Sequence, residues 1–222
     1  MKRKSFTLIE ILIAVAIFST VLIIASGVFS NIIGNQSFVN VSTEVNREGQ
    51  RILRQISDDT VNATENGKIS SNSGVEAKGI IFLNADGSLA TPLASCIIPS
   101  TPGCNFSQIA IFAKDGAKIY RFNSTNKSIE YGVSVSDPSS NQLAFNLGKL
   151  DTSKYKFSQL NDSRVEIISA GFSGISYYDS NCSIAPFVKI GMTVETADFS
   201  HQPARRSAKI ELRTMVTSRS YQ

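Results

Sequence analysis

A chain of 222 residues has room for one domain of ordinary size and an N-terminal appendage. Lys2, Arg3 and Lys4 supply most of its formal charge of +4. Without them the 22 basic side chains fall to 19 against 18 acids, so net charge makes no case for nucleic-acid binding. Apolar residues crowd the first 33 positions and the remainder is rich in Ser, Asn, Thr and Gly, so the expected fold is α+β, a membrane-inserted helix followed by a soluble, largely β domain.

Taken in chain order, the three cations stand directly before an apolar segment in which Glu10 is the one charged residue until Glu44. The charge-free run from Ile11 to Thr43 is longer than the roughly 20 helical residues that span a bilayer. One reading is a cleaved secretory signal with Ala25-Ser26-Gly27 as its site, although a glutamate at the start of the apolar region does not suit one. A second is an uncleaved single-pass anchor, with the cations holding the N-terminus in the cytoplasm and the bulk of the chain outside. Glu10 also has a local use. Thr7-Leu8-Ile9-Glu10 is a capping box, and an acid in the first turn suits the helix dipole. Capping does not explain keeping an ionisable group beside hydrocarbon, where the cost near the centre is about 2.5–3.5 kcal/mol. A partner that neutralises it does.

Lys4-Ser5-Phe6-Thr7-Leu8-Ile9-Glu10 resembles the class III signal of type IV pilins and pseudopilins. The resemblance implies that a prepilin peptidase cuts between Ser5 and Phe6 on the cytoplasmic side and methylates the new amino terminus, Phe6. Glu10 becomes the glutamate of mature position five, which in the family pairs with the amino terminus of an adjacent subunit. Ser5 stands where the family usually has Gly and sometimes Ala. The implied partners are the prepilin peptidase, other pilin or pseudopilin subunits, an inner-membrane assembly platform and the lipid itself. The implied location is the inner membrane, then a pilus or pseudopilus. The competing function is a membrane-anchored adhesin or binding domain that never polymerises.

Beyond the membrane segment the helical pattern continues. Asn31 to Asn66 holds no proline, and Phe38, Val41, Val45, Ile52, Ile56 and Ala63 share one helical face. Glu44 and Glu48 are spaced for helical ion pairs with Arg47, Arg51 and Arg54. Asn66-Gly67 is the expected stop, giving a helix from Phe6 to about Glu65. Gly27 and Gly34 interrupt the apolar run, which suits close helix packing in a membrane. Gly27 also falls at mature position 22, where many fibre-forming pilins carry a proline, and this resemblance implies local melting on assembly. The expected division is a leader (1–5), a membrane and assembly half-helix (6–33), an amphipathic half-helix (34–66) and an extracytoplasmic domain (67–222).

In that domain Gly79 to Leu83, the turn Asn84-Ala85-Asp86-Gly87, and Ser88-Leu89 read as strand, turn and strand. Ile109 to Ala113 and Lys118 to Phe122 form a hairpin about Asp115-Gly116, and Ile129 to Val133 a further strand. These Asp-Gly turns lack the acidic ladder of a calcium loop. Asp137 to Phe157 reads as a Ser/Asn-rich connection. Strands follow at Arg164 to Ile168 and Gly174 to Tyr178. In the last two, Val188, Ile190, Met192 and Val194, then Ala208, Ile210, Leu212 and Val216, alternate with polar residues. Such alternation predicts an antiparallel sheet with one face packed on the helix. Gln50 to Asp59, Phe187 to Ile190 and the ending Thr217-Ser218-Arg219 are similar to W-type minor pilins and J-type minor pseudopilins.

Little in the chain suggests other chemistry. Cys96 and Cys104 bracket a loop with two prolines and a glycine, so they are either a disulfide pair, with Cys182 left over, or free thiols. No CxxC pair and a single histidine, His201, leave no metal site to expect. With no Ser-His-Asp set, Walker loop or dinucleotide fingerprint, neither catalysis nor a cofactor is expected, and Glu166 with Asp179 could be a glycosidase pair only by assertion. Arg205, Arg206, Lys209, Arg213 and Arg219, opposed by Glu211, could contact DNA. The plainer reading of Lys209, Arg213 and Arg219 is the wet face of a strand.

Overall fold

The computed structural model describes residues 7–63, 67–70, 76–77, 79–90, 106–175, 187–197 and 208–217. One helix, α1 (Leu8–Val61), runs 54 residues, about 80 Å at 1.5 Å per residue. Thr7 is its N-cap in extended backbone, and Asn62 its C-cap. The helix therefore ends ahead of the expected Asn66-Gly67 stop. Sheet pairing takes over instead, since Ala63 already bridges Ala113 and Gly67 opens the first strand. A Cβ at Gly67 would lie 2.3–2.4 Å from the Phe112 ring. That glycine serves close packing and does not terminate the helix.

Among the described residues the strands form three sheets. β3 (Ile80–Leu83), β4 (Gln108–Ala113), β5 (Gly116–Asn123), β6 (Ser128–Ser134) and β9 (Tyr155–Gln159) form a five-stranded sheet in that spatial order, every pair antiparallel. β10 (Val165–Ile175), β11 (Phe187–Thr196) and β12 (Lys209–Thr217) form an antiparallel three-stranded sheet. A small sheet joins β2 (Glu76–Ala77), β1 (Gly67–Ser70), β7 (Gln142–Asn146) and β8 (Lys149–Leu150), and here β1 and β7 run parallel.

Two cores result. In the first, Val41, Val45, Ile52, Leu53 and Ile56 of α1 pack with Ile109 and Ile111 of β4 and with Ile190, Met192 and Val194 of β11. Gly49 stands close against the sheet, since a Cβ there would meet Leu212 Cδ1 at 2.3 Å and Val194 Cγ2 at 3.2 Å. Phe38, expected on this face, is 37% exposed, and the first buried residue of the helix is Val41. The second core joins Ala110, Phe112 and Ile119 to Ile69, Leu143 and Leu150. All six residues of β4 are buried, since a core lies on each of its faces. The cover on the second face comes from the Asp137 to Phe157 stretch, which folds into β7, β8, a 3-10 turn (Thr152–Lys154) and β9 rather than an open connection.

β10 is a single strand with a register shift between Ile167 and Ser169, where two strands were expected, and 176–178 lie outside the described residues. β11 and β12 show the expected alternation.

Candidate functional site

The candidate site is the first half of α1. Every described residue from Thr7 to Gln36 is exposed. They include Leu8, Ile9, Ile11, Leu12, Phe18, Ile23, Ile24 and Phe29, all at least half exposed. This helix is long and apolar enough to cross a membrane, and none of its apolar window is buried. A helix apolar all round satisfies its burial requirement only outside its own domain. Three of its hydroxyls are satisfied internally. Ser19 donates to the Val15 carbonyl at 2.8 Å, Thr20 to Ile17 at 2.7 Å and Ser26 to Leu22 at 2.8 Å. Such back-bonding leaves these hydroxyls without further need of water. A Cβ at Gly27 or Gly34 would meet open space, so neither glycine answers a packing demand within the chain.

Glu10 remains as the one ionisable group between Leu8 and Thr43. Its Oε2 accepts the Thr7 amide and the Thr7 hydroxyl, each at 2.9 Å, while the Glu10 amide reaches Thr7 Oγ1 at 3.4 Å. The capping box read from Thr7-x-x-Glu10 is thus formed. It places the carboxylate at the helix entry and its N-cap one residue after Phe6. Ser5 and Phe6 themselves lie outside the described residues, as do Cys96, Cys104, Cys182, His201, Asp179, Arg205, Arg206 and Arg219. Of the remaining basic residues near the C-terminus, Lys209 and Arg213 are exposed on β12. Arg213 is held by Glu211 at 2.5 and 2.9 Å, as the wet face of a strand would be.

The second half of α1 is fixed to the domain by polar clusters as well as by its core. Only one of the helical ion pairs expected there forms, Arg51 with Glu48 at 2.7 Å. Glu44 instead reaches Arg164 at 2.6 Å. Glu48 also accepts the Asp162 amide at 3.0 Å, and Arg51 donates to the Leu160 carbonyl. The acids of the helix are therefore shared with the turn between β9 and β10. Farther along, Asp59 pairs with Lys118 at 2.7 Å and accepts the Tyr120 hydroxyl. Burial, the Asp59 charge and that hydrogen bond push the Tyr120 phenol well above its ordinary value. Burial works against the Lys118 charge, but hydrogen bonds to Asp59 and Asp115 outweigh it and raise its pKa. Sequence reading did not single out Asp59. The available signal was an acid in the last turns of a helix, where the dipole disfavours it and no basic residue compensates within the last turn. Such a residue calls for a cation from elsewhere.

The hydrogen bond from Arg51 holds the Glu48 carboxyl below its ordinary value of 4.5, a lowering that the Asp162 amide reinforces. A depressed carboxylate stabilises the fold above its unfolded value and loses that contribution as pH falls through the lower folded value. The thermal midpoint of the full chain in detergent is accordingly expected to fall once pH drops below about 4.5. Glu48→Gln should flatten part of that fall. An equally steep acid limb in the variant would remove Glu48 from the account.

Residues 1–26 match the family model for the prokaryotic N-terminal methylation motif. The matched segment contains the whole Ser5 to Glu10 stretch and the start of the bare helix. No curated protein and no solved structure matches the chain.

Proposed function

We infer that the chain is a type IV pilin or pseudopilin, processed by prepilin peptidase and anchored in a membrane, because residues 1–26 carry the N-terminal methylation motif, the class III prepilin signal, at the start of a helix long and apolar enough to cross a membrane. We propose that the chain is a minor pilin or pseudopilin, inserted with its N-terminus in the cytoplasm, cut between Ser5 and Phe6 and N-methylated on Phe6. It then joins or primes a helical fibre through α1, with the β domain exposed beyond the membrane. The observation that carries this reading is the coincidence of the motif with a helix apolar on all sides whose lone carboxylate, Glu10, lies one turn past the cut. In the membrane that carboxylate is a cost. In a bundle of sister helices it can meet the amino terminus of a neighbour, which in processed subunits is a cation. The size of the chain and the resemblance of Gln50 to Asp59, Phe187 to Ile190 and Thr217 to Arg219 to W-type and J-type subunits are what favour a minor over a major role in this reading.

Mass spectrometry of the protein purified from the membranes of its own cells tests the processing. The expected N-terminal peptide begins with N-methyl-Phe6 and lacks residues 1–5. A chain with Met1 intact would favour the plain anchor of a domain that never polymerises.

A further inference from the structure

Where the end of β6, the start of β7 and the 3-10 turn before β9 come together, they border a cavity of about 270 Å³. It lies apart from the core that the helix shares, since Tyr155 and Ala144 on its wall pack in the second core. The frame is well fixed. Ser134 pairs with Tyr155 across β6 and β9. The Val135 amide donates to the Lys154 carbonyl and the Ala117 amide to the Ser140 carbonyl, each at 2.9 Å. The loop between β6 and β7 presses on the turn between β4 and β5. A Cβ at Gly116, where φ is 119°, would stand 2.0 Å from the Pro138 carbonyl oxygen.

Polar residues make up most of the lining, and several of their groups are not engaged. Ser134 Oγ accepts the Asp137 amide at 3.3 Å, and Asp137 Oδ1 accepts the Ser139 amide and hydroxyl, which closes the loop on itself. Asp137 Oδ2 takes no part in this. Among the described residues no hydrogen bond or close ion pair engages the Ser140 hydroxyl, the Gln142 carboxamide or the Lys154 ammonium. Tyr155 is only 6% exposed. Its hydroxyl accepts the Ala144 amide at 2.7 Å, yet its own proton has no acceptor among the described residues. A buried donor in that state is costly unless water or a ligand takes the proton. Burial also pushes this phenol above its ordinary value, so the proton stays in place to be donated.

The chemistry of the wall selects the ligand. Asp137 Oδ2 is an acceptor, Lys154 Nζ and the Tyr155 hydroxyl are donors, and Ser140 and Gln142 do both. The one acid and the one base of the lining cancel, so it favours neither an anion nor a cation. Donors and acceptors side by side without net charge match adjacent hydroxyls on a ring, each of which donates and accepts at once. The volume falls just under the range of drug-sized sites and admits a single ring. We propose that this cavity binds one neutral sugar ring, either a free monosaccharide or the end of a glycan, through Asp137, Gln142, Lys154 and Tyr155. The site is complete within one chain and does not rest on the assembly reading.

The test uses the full chain in a detergent without a sugar headgroup, since a glycoside detergent would compete. Saturation-transfer NMR is recorded with glucose, galactose, mannose and N-acetylglucosamine, each as the free sugar and as its methyl glycoside. At least one should bind with roughly millimolar affinity, as suits a ligand of about a dozen non-hydrogen atoms. Preference for the free sugar assigns the site to a soluble ligand and preference for the glycoside assigns it to a glycan end; binding of either form supports the site. Gln142→Ala should weaken binding about threefold to tenfold and leave the thermal midpoint unchanged, because this side chain is exposed and bonds to nothing among the described residues. Lys154→Ala should weaken it about tenfold or more. No saturation transfer to any of these sugars, or binding that neither variant weakens, overturns the proposal. Tighter binding of glucuronate than of glucose overturns the assignment to a neutral ring.

Discussion

A Glu10→Val chain is expected to reach the membrane in wild-type amount and to be missing from the fibre. Insertion cannot suffer, because the substitution replaces the one charged side chain of the segment by an apolar one. Assembly should suffer heavily. If Glu10 meets the amino terminus of a neighbour away from water, removing one partner leaves the other buried and uncompensated, at about 3–5 kcal/mol, more than a hundredfold in association. Lost capping is a smaller term, on the order of 1 kcal/mol. Glu10→Gln separates the two effects. Glutamine at this position can still close the capping box on Thr7, which in the native chain uses only Glu10 Oε2, but it carries no charge. Fibre and membrane fractions of both variants, quantified by immunoblot, should show both depleted from the fibre. Normal incorporation of Glu10→Val would sink the assembly role. Incorporation of Glu10→Gln alone would reduce Glu10 to a cap.

The second large effect lies where helix meets domain. Ile52 is fully buried in the shared core, and Ile52→Ala should cost about 2–5 kcal/mol, lowering the thermal midpoint of the chain in detergent by roughly 5–15 °C. Phe38→Ala, fourteen residues earlier on the same apolar pattern, should change stability by no more than about 0.5 kcal/mol, because the helix has not yet reached the domain. Comparable losses from both substitutions would mean that the domain contacts α1 well before Val41.

The contrast between these two residues also marks what could be read from the sequence. Helical periodicity identifies Val41, Val45, Ile52 and Ile56 as one face, and all four are buried. The same periodicity includes Phe38, since a repeat reports a shared face but not where along the helix a second surface begins. Gly49 breaks the apolar pattern and yet is buried against the sheet, because closeness to Leu212 required the smallest residue rather than an apolar one. In the β domain, turn chemistry at Asp115-Gly116 and the alternation of β11 were enough to locate the strands. β7, β8 and β9 were missed, because strands of two to five residues are too short to leave a clear periodic trace and the parallel pairing of β7 with β1 has no local signal. At the candidate site the capping box was fully legible, as it depends on a spacing of three residues. Asp59 with Lys118 was not, since fifty-nine residues separate them.

The shared core has a mechanical consequence. From Val41 to Val61 the helix lies against the domain for about 30 Å, fastened by Glu44 with Arg164 near one end and Asp59 with Lys118 near the other. A pull along the helix axis therefore loads that interface in shear, so its contacts share the force instead of parting one after another. How long the domain withstands such a pull is then a matter of its unfolding rate, and the bare first half of α1 serves as the handle through which the load arrives.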